Sequence, residues 1–139
     1  MAKKYSLPFR SCKNIKNAPA PYHQRANNMK YCLDFPMPEG TTVLAARDGK
    51  VIHCEGRFKK NYSSPKYADK CNRIVILHKD GDKSVYAHLK YRSLKVKTGQ
   101  LVKDGWVLAL SGQTGYATYP HLHFGVYNKN GKNIKVDFK

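Results

Sequence analysis

The sequence predicts an all-β fold, a single domain of antiparallel sheets. Short segments rich in Val, Ile, Leu and Tyr recur from residue 42 onward, each of strand length. Between them lie "RDGK" (47–50), "KDGDK" (79–83), "VKDGW" (102–106) and "NKNGK" (128–132), whose Asp-Gly and Asn-Gly pairs supply the positive φ angles of tight hairpins. No run shows a helical period.

Taken in order, strands are expected at 42–46 (TVLAA), 50–55 (KVIHCE), 72–78 (NRIVILH), 83–88 (KSVYAH), 106–111 (WVLALS) and 121–127 (HLHFGVY). Residues 1–30 are polar, with Pro8, Pro19 and Pro21, and read as an N-terminal arm or loop laid over the domain formed by 31–139. Segment 56–70 is basic, contains Ser and Pro, and reads as a long surface insertion. A chain of 139 residues supports one domain with a real core and argues against a second.

Charge narrows the partners. Twenty-six Lys and Arg face nine Asp and Glu, a net +17. Such a field favours a polyanion: nucleic acid, anionic lipid or an anionic wall polymer. Lys3, Lys4, Arg10, Lys13, Lys16 and the run "RFKK" (57–60) are candidate contacts. No apolar run reaches membrane-spanning length. The start "MAKKYSLPFR" has no apolar core, so no signal peptide is expected in this chain. Cys12, Cys32, Cys54 and Cys71 form no C-x-x-C pair, which argues against a cysteine zinc knuckle. Two readings stand for them: Cys54–Cys71 across a hairpin with Cys12–Cys32 stapling the arm, or four free thiols.

The chemistry centres on "YPHLHFGVY" (119–127). Residues i and i+2 of a strand share a face, roughly 6.5–7 Å apart, so His121 and His123 project together. Both could bind one metal, or one could bind while the other acts as acid or base. The pair is incomplete alone, because a catalytic zinc takes three protein ligands and keeps one position open. Asp34 stands between Leu33 and Phe35, where an unpaired carboxylate would be costly and a neighbouring cation would relieve it. The other reading of Asp34 is a turn cap before Pro36. His88 ends the strand "YAHL" in similar apolar company, and His23 lies upstream in "YHQRANNMKYCLDF". His53 and His78 are placed at the surface.

With these residues in view, "LDFPMPEGTTVLAARDGKV" (33–51), "YAHL" (86–89) and "VKTGQLVKDGWVLALSGQTGYATYPHLHFGVY" (96–127) together resemble the lysostaphin-type, LytM-like zinc metalloendopeptidases. The resemblance implies a LytM-like β fold of the duplicated-hybrid-motif kind, with a groove floored by the sheet and walled by loops. It implies one zinc ion per chain and cleavage of peptide cross-links or stems of bacterial peptidoglycan. By motif, His23 (from the arm), Asp34 and His123 match the zinc ligands, and His88 and His121 the catalytic histidines. Gly40, Gly49, Gly112 and Gly115 would shape turns around the groove. Two departures stand out: ten residues separate His23 from Asp34, and Tyr119 replaces a usual glycine. Gln24, Asn27 and Asn28 are the nearest substitutes for His23.

The expected roles are His121 as principal base and His88 as oxyanion support or proton donor, with exchange of the two open. The expected partners are peptidoglycan and anionic envelope polymers, met as a monomer at the wall, periplasmic or extracellular. A basic single-domain chain of this kind resembles a phage endolysin released through a holin. A secreted enzyme with its signal trimmed fits as well. D-alanyl cross-links are preferred over glycyl-glycine bridges. Two other readings are an inactive LytM-like activator of wall hydrolases and a nucleic-acid binder. The latter rests on charge and ten tyrosines that form no base-stacking motif.

Overall fold

The computed structural model describes residues 3–10 and 28–139. The strands, in chain order, are β1 (Lys3–Tyr5), β2 (Leu33–Pro36), β3 (Thr42–Leu44), β4 (Gly49–Glu55), β5 (Asn61–Tyr62), β6 (Asn72–Leu77) and β7 (Lys83–Leu89). They continue as β8 (Leu101–Val102), β9 (Val107–Leu110), β10 (Gly115–Tyr116), β11 (His121–Tyr127), β12 (Asn133–Ile134) and β13 (Val136–Phe138). Among the described residues there is no α-helix, only a 3-10 turn at Pro65–Tyr67.

The main sheet runs β12-β11-β7-β6-β4-β8, with β2 also paired to β11, and every pair in it is antiparallel. β3 and β9 form a second antiparallel ribbon. The short pairs β1–β13 and β5–β10 run parallel. Period-2 alternation decides the faces. In β6, Asn72, Ile74 and Ile76 are buried while Arg73, Val75 and Leu77 are partly exposed. Phe35, Ile74, Ile76, Tyr86, Leu122 and Phe124 join Val43, Ala45, Leu108 and Ala109 in one core. β11 is buried on both faces up to Tyr127, because its other face floors a cleft.

All six segments expected as strands are strands. Those the pattern does not reveal are short, and β2 carries Asp34 and Pro36 in four residues, too few for a period to show. In the arm, β1 adds to β13, Tyr5 is fully buried, and Phe9 bridges to Val43 with its ring 4.9 Å from that of Phe35. Residues 11–27, with His23 and Cys12, lie outside the described residues.

Gly49 does not serve as a positive-φ turn residue. A Cβ there would meet the Leu77 carbonyl oxygen and the Ile76 side chain at 2.5 Å, so its role is close approach of β4 to the end of β6. Cys32, Cys54 and Cys71 are free thiols, so Cys54 and Cys71 do not bridge. Cys54 faces the Val96 carbonyl and Cys32 the Tyr127 hydroxyl.

His78 is a correction of a different kind. It is buried, not at the surface, with Nδ1 2.7 Å from the Asp48 carbonyl and Nε2 2.9 Å from Ser84 Oγ. It sits one residue past β6 and continues the buried series Asn72, Ile74 and Ile76, so the strand's own alternation carries it inside. Around it, Lys3 pairs with Asp80 and Asp82 at 3.0 and 2.9 Å, and Arg47 with Asp80 at 3.0 Å. Burial pushes the His78 pKa down. Partial burial pushes Asp80 up, but hydrogen bonds from Arg47 and Lys3 outweigh it and hold the carboxyl well below the usual range. Both groups bind protons more readily in the unfolded chain, so acid favours unfolding. Thermal stability should therefore fall as pH drops below about 6.5, where an unfolded histidine protonates, and further below about 4. Melting temperatures across this range test it: the upper part of the decline should shrink in His78→Gln, and a flat profile would contradict the account.

Candidate active site

Strand register assembles the site. On β11, His123 lies opposite Asp34 of β2 on one side and Ala87 of β7 on the other. Directly opposed residues share a face with Cβ atoms about 4.5–5.5 Å apart. Asp34 Oδ1 is 3.2 Å from His123 Nδ1, and Oδ2 is 3.3 Å from His121 Nε2. One buried carboxylate thus spans two imidazoles, the partner the apolar context of Asp34 called for. Its place inside β2 removes the turn-cap reading.

His88 reaches the site by a different device. By alternation after Tyr86, which faces the core, and Ala87, which faces the cleft, His88 would turn into the core. Instead its φ is +64°, and the β6–β7 register shifts there, Arg73 pairing with Ala87 and Asn72 with Leu89. This is a β-bulge, which re-aims a side chain, and a positive φ outside glycine marks local backbone strain. The His88 ring then lies 4.6 Å from that of His121 and 6.0 Å from that of His123.

Backbone carbonyls set the tautomers. His88 Nδ1 is 2.7 Å from the Thr114 carbonyl and His121 Nδ1 is 2.8 Å from that of Tyr119. A carbonyl only accepts, so each Nδ1 carries a proton and donates it. Burial first, and then the His121 and His123 rings, lower the His88 pKa to about 3, so this imidazole is neutral at physiological pH. The Tyr119 ring lies tilted 4.8 Å from that of His121 and is 37% exposed, so it lines the site as well as orienting it.

These residues line a cleft of about 430 Å³ with Val85, Ala87 and Arg73. One wall joins Tyr116–Tyr119 to the end of segment 56–70, which is therefore not a free surface insertion. β5 pairs with β10, and Asn61 Nδ2 donates to the carbonyls of Gln113, Gly115 and Ala117. Gly115, at φ +78°, passes so close to Cys71 that a Cβ would lie 2.5 Å from the cysteine Cβ. Asn72 ties the same wall to the floor: its side chain accepts from Phe58 N and donates to the carbonyls of Phe58 and Leu89. Sequence reasoning missed Asn61, Asn72 and Arg73, and no local signal marks them, since their partners are distant in the chain.

Asp34, His88, His121 and His123 are thus brought together, and His23 lies outside the described residues. Among the described residues no group of three or more His, Cys, Asp or Glu is arranged to hold a metal. Asp34 and His123 offer the oxygen and nitrogen donors that zinc accepts, and they fit two corners of a site needing a third donor. Asn28 is a poor substitute for His23, since its side chain already donates to the Gly131 carbonyl and accepts from Asn133 N.

Residues 28–136 match peptidase family M23. The chain belongs to this family. This M23 domain is 42% identical over 97 residues to the peptidoglycan DD-endopeptidase ShyB of Vibrio cholerae, covering 70% of the chain and 20% of that protein. It is 40% identical over 98 residues to lysostaphin of Staphylococcus simulans, covering 69% and 17%. The chain spans 17–28% of the length of these and the other first curated relatives. Among solved structures it resembles the catalytic domain of S. simulans lysostaphin, with TM-score 0.65, 33% identity, and 88% and 89% of the two chains covered. It also resembles a zinc-containing peptidase from V. cholerae, with TM-score 0.67, 32% identity, and 99% and 41% covered. The LytM-like β fold expected from the motifs is the fold of this domain.

Proposed function

We propose that this M23 domain is a zinc-dependent endopeptidase that cleaves peptide bonds of bacterial peptidoglycan. The observation that carries the reading is the buried Asp34 carboxylate spanning His121 and His123, with His88 bulged in beside them at the floor of a cleft. In this reading Asp34, His123 and His23, the last from the 1–30 arm, hold one zinc ion. Bound there, zinc would polarise the scissile carbonyl and acidify a water.

The chain's own residues supply the rest. His121, with Nδ1–H held by the Tyr119 carbonyl, presents an unprotonated Nε2, 3.3 Å from Asp34 Oδ2, which can take the proton of the attacking water and carry it beside that carboxylate. His88, with Nδ1–H held by the Thr114 carbonyl, presents Nε2 as an acceptor, so it can exchange the base role with His121; it serves the oxyanion or the leaving amine as a donor only after Nε2 has taken a proton. The cleft beside the wall formed by Tyr116–Tyr119 and Ala68–Cys71 receives the peptide and sheds water around it. All four described members of the set are intact, which favours an enzyme over an inactive activator.

The relatives include a DD-endopeptidase and a glycyl-glycine endopeptidase. We favour D-alanyl cross-links. Walls of the two chemistries should be digested in parallel and the fragments identified by mass spectrometry. Release from directly cross-linked walls, lost with a chelator and restored by zinc, is the expected result; no release from either wall refutes the proposal.

The +17 charge is proposed to hold the domain on anionic envelope polymers at the wall. Of the candidate contacts, Lys13 and Lys16 lie outside the described residues, Lys3 is engaged with Asp80 and Asp82, and Arg57 with Glu55; among the described ones Lys4, Arg10, Lys59 and Lys60 are exposed. Wall binding measured by pelleting should weaken steeply between low and physiological salt, because exposed charges are screened beyond about 8 Å at 0.15 M. Salt-insensitive binding would exclude this role.

A further inference from the structure

Arg73 is the cleft residue for which the chemistry above has no use. It lies opposite Ala87, which lies opposite His123, which lies opposite Asp34. The register thus sets these four in one row across the cleft face of the sheet. Strands are about 4.8 Å apart, so the Arg73 backbone stands about 10 Å from that of His123. In that row only the Ala87 methyl lies between them. Among the described lining residues Arg73 is the one permanent cation, in a cleft otherwise built largely from alanines, tyrosines and the site itself.

The guanidinium is partly committed. Nη1 donates to the carbonyls of Asp69 and Cys71, at 3.2 and 3.5 Å, which fixes the group beneath the wall. Among the described residues no carboxylate pairs with it. Glu55, its neighbour in the row, is paired instead with Arg57 at 3.3 Å. Nε and Nη2 remain as two parallel donors, the edge that grips a carboxylate in a bidentate pair. An extended peptide advances about 3.3 Å per residue, so a chain lying along the row brings a group about three residues from the scissile bond over Arg73.

We propose that Arg73 is a specificity residue that binds a free carboxylate of the substrate peptide, about 10 Å from the bond cleaved. This rests on the peptidase reading above and deepens it: the preferred stems carry a free carboxylate, and amidated stems are disfavoured. An arginine serving only as a loop anchor would show no such preference.

The experiment uses the zinc-loaded protein and two cross-linked muropeptides that differ only in a carboxylate or carboxamide at that distance. The wild type should prefer the carboxylate in kcat/KM. In Arg73→Gln the preference should fall by about 10–100-fold, the worth of a charged hydrogen bond. Arg73→Lys should keep part of it. Equal use of both substrates by the wild type, or an unchanged ratio in Arg73→Gln, overturns the assignment. If the wild type cleaves neither, the peptidase reading fails, and NMR titration of the metal-free protein still decides the site. A shift of the Arg73 Nε–H signal with the carboxylate and not the amide supports it; the same response to both, or none, overturns it.

Discussion

His121→Ala is expected to keep zinc and to lose about 10²–10⁴-fold in kcat, the usual contribution of a positioned acid or base. Asp34→Ala and His123→Ala are expected to lose the metal itself, and activity with it. The difference follows from the proposed roles. Asp34 and His123 face each other at 3.2 Å as oxygen and nitrogen donors; His121 also lies 3.3 Å from Asp34, but its Nδ1 is held by the Tyr119 carbonyl and its Nε2 is assigned to the attacking water. Metal content by elemental analysis, with hydrolysis of purified walls, separates the cases. Normal lysis by His121→Ala would sink its role as base, and full zinc in Asp34→Ala would sink the ligand assignment. Full zinc in His23→Ala would move the third donor elsewhere in residues 11–27.

Phe35→Ala should cost about 3–5 kcal/mol, the range for removing a buried aromatic ring. The ring is fully buried, with Phe9 at 4.9 Å and Phe138 at 5.8 Å between centroids. It therefore joins the N-terminal arm and the C-terminal strand to β2, the strand that carries Asp34. A fall in melting temperature of roughly 10–20 °C is expected for a chain of this size. Because Asp34 is the next residue, metal affinity should fall as well, even well below the melting transition. A variant with wild-type stability would show that this contact does not hold β2 in place.

The long strands of the main sheet, β4, β6, β7 and β11, were legible because each has enough residues for alternation and a turn signal at its ends. β1, β2, β5, β8, β10, β12 and β13 were not, since two to four residues carry no period. His78 was misplaced because the charged Lys79 beside it was weighed above the buried series Asn72, Ile74 and Ile76 that it continues, and the partners that satisfy its ring, Asp48 and Ser84, arrive from other segments. The insertion at 56–70 looked free because Asn61 and Asn72, which tie it down, make contacts that no local pattern announces.

By itself the sequence determined that His121 and His123 share a face, that Asp34 needed a partner, and where the hairpins turn. These are consequences of a two-residue period, of desolvation and of backbone φ, all local. Only the tertiary structure decided that Asp34 lies against both histidines, that a bulge turns His88 out of the core, and that Arg73 falls in the same row. Those depend on which strands become neighbours and in what register, and a strand's own pattern specifies its faces but not its partners.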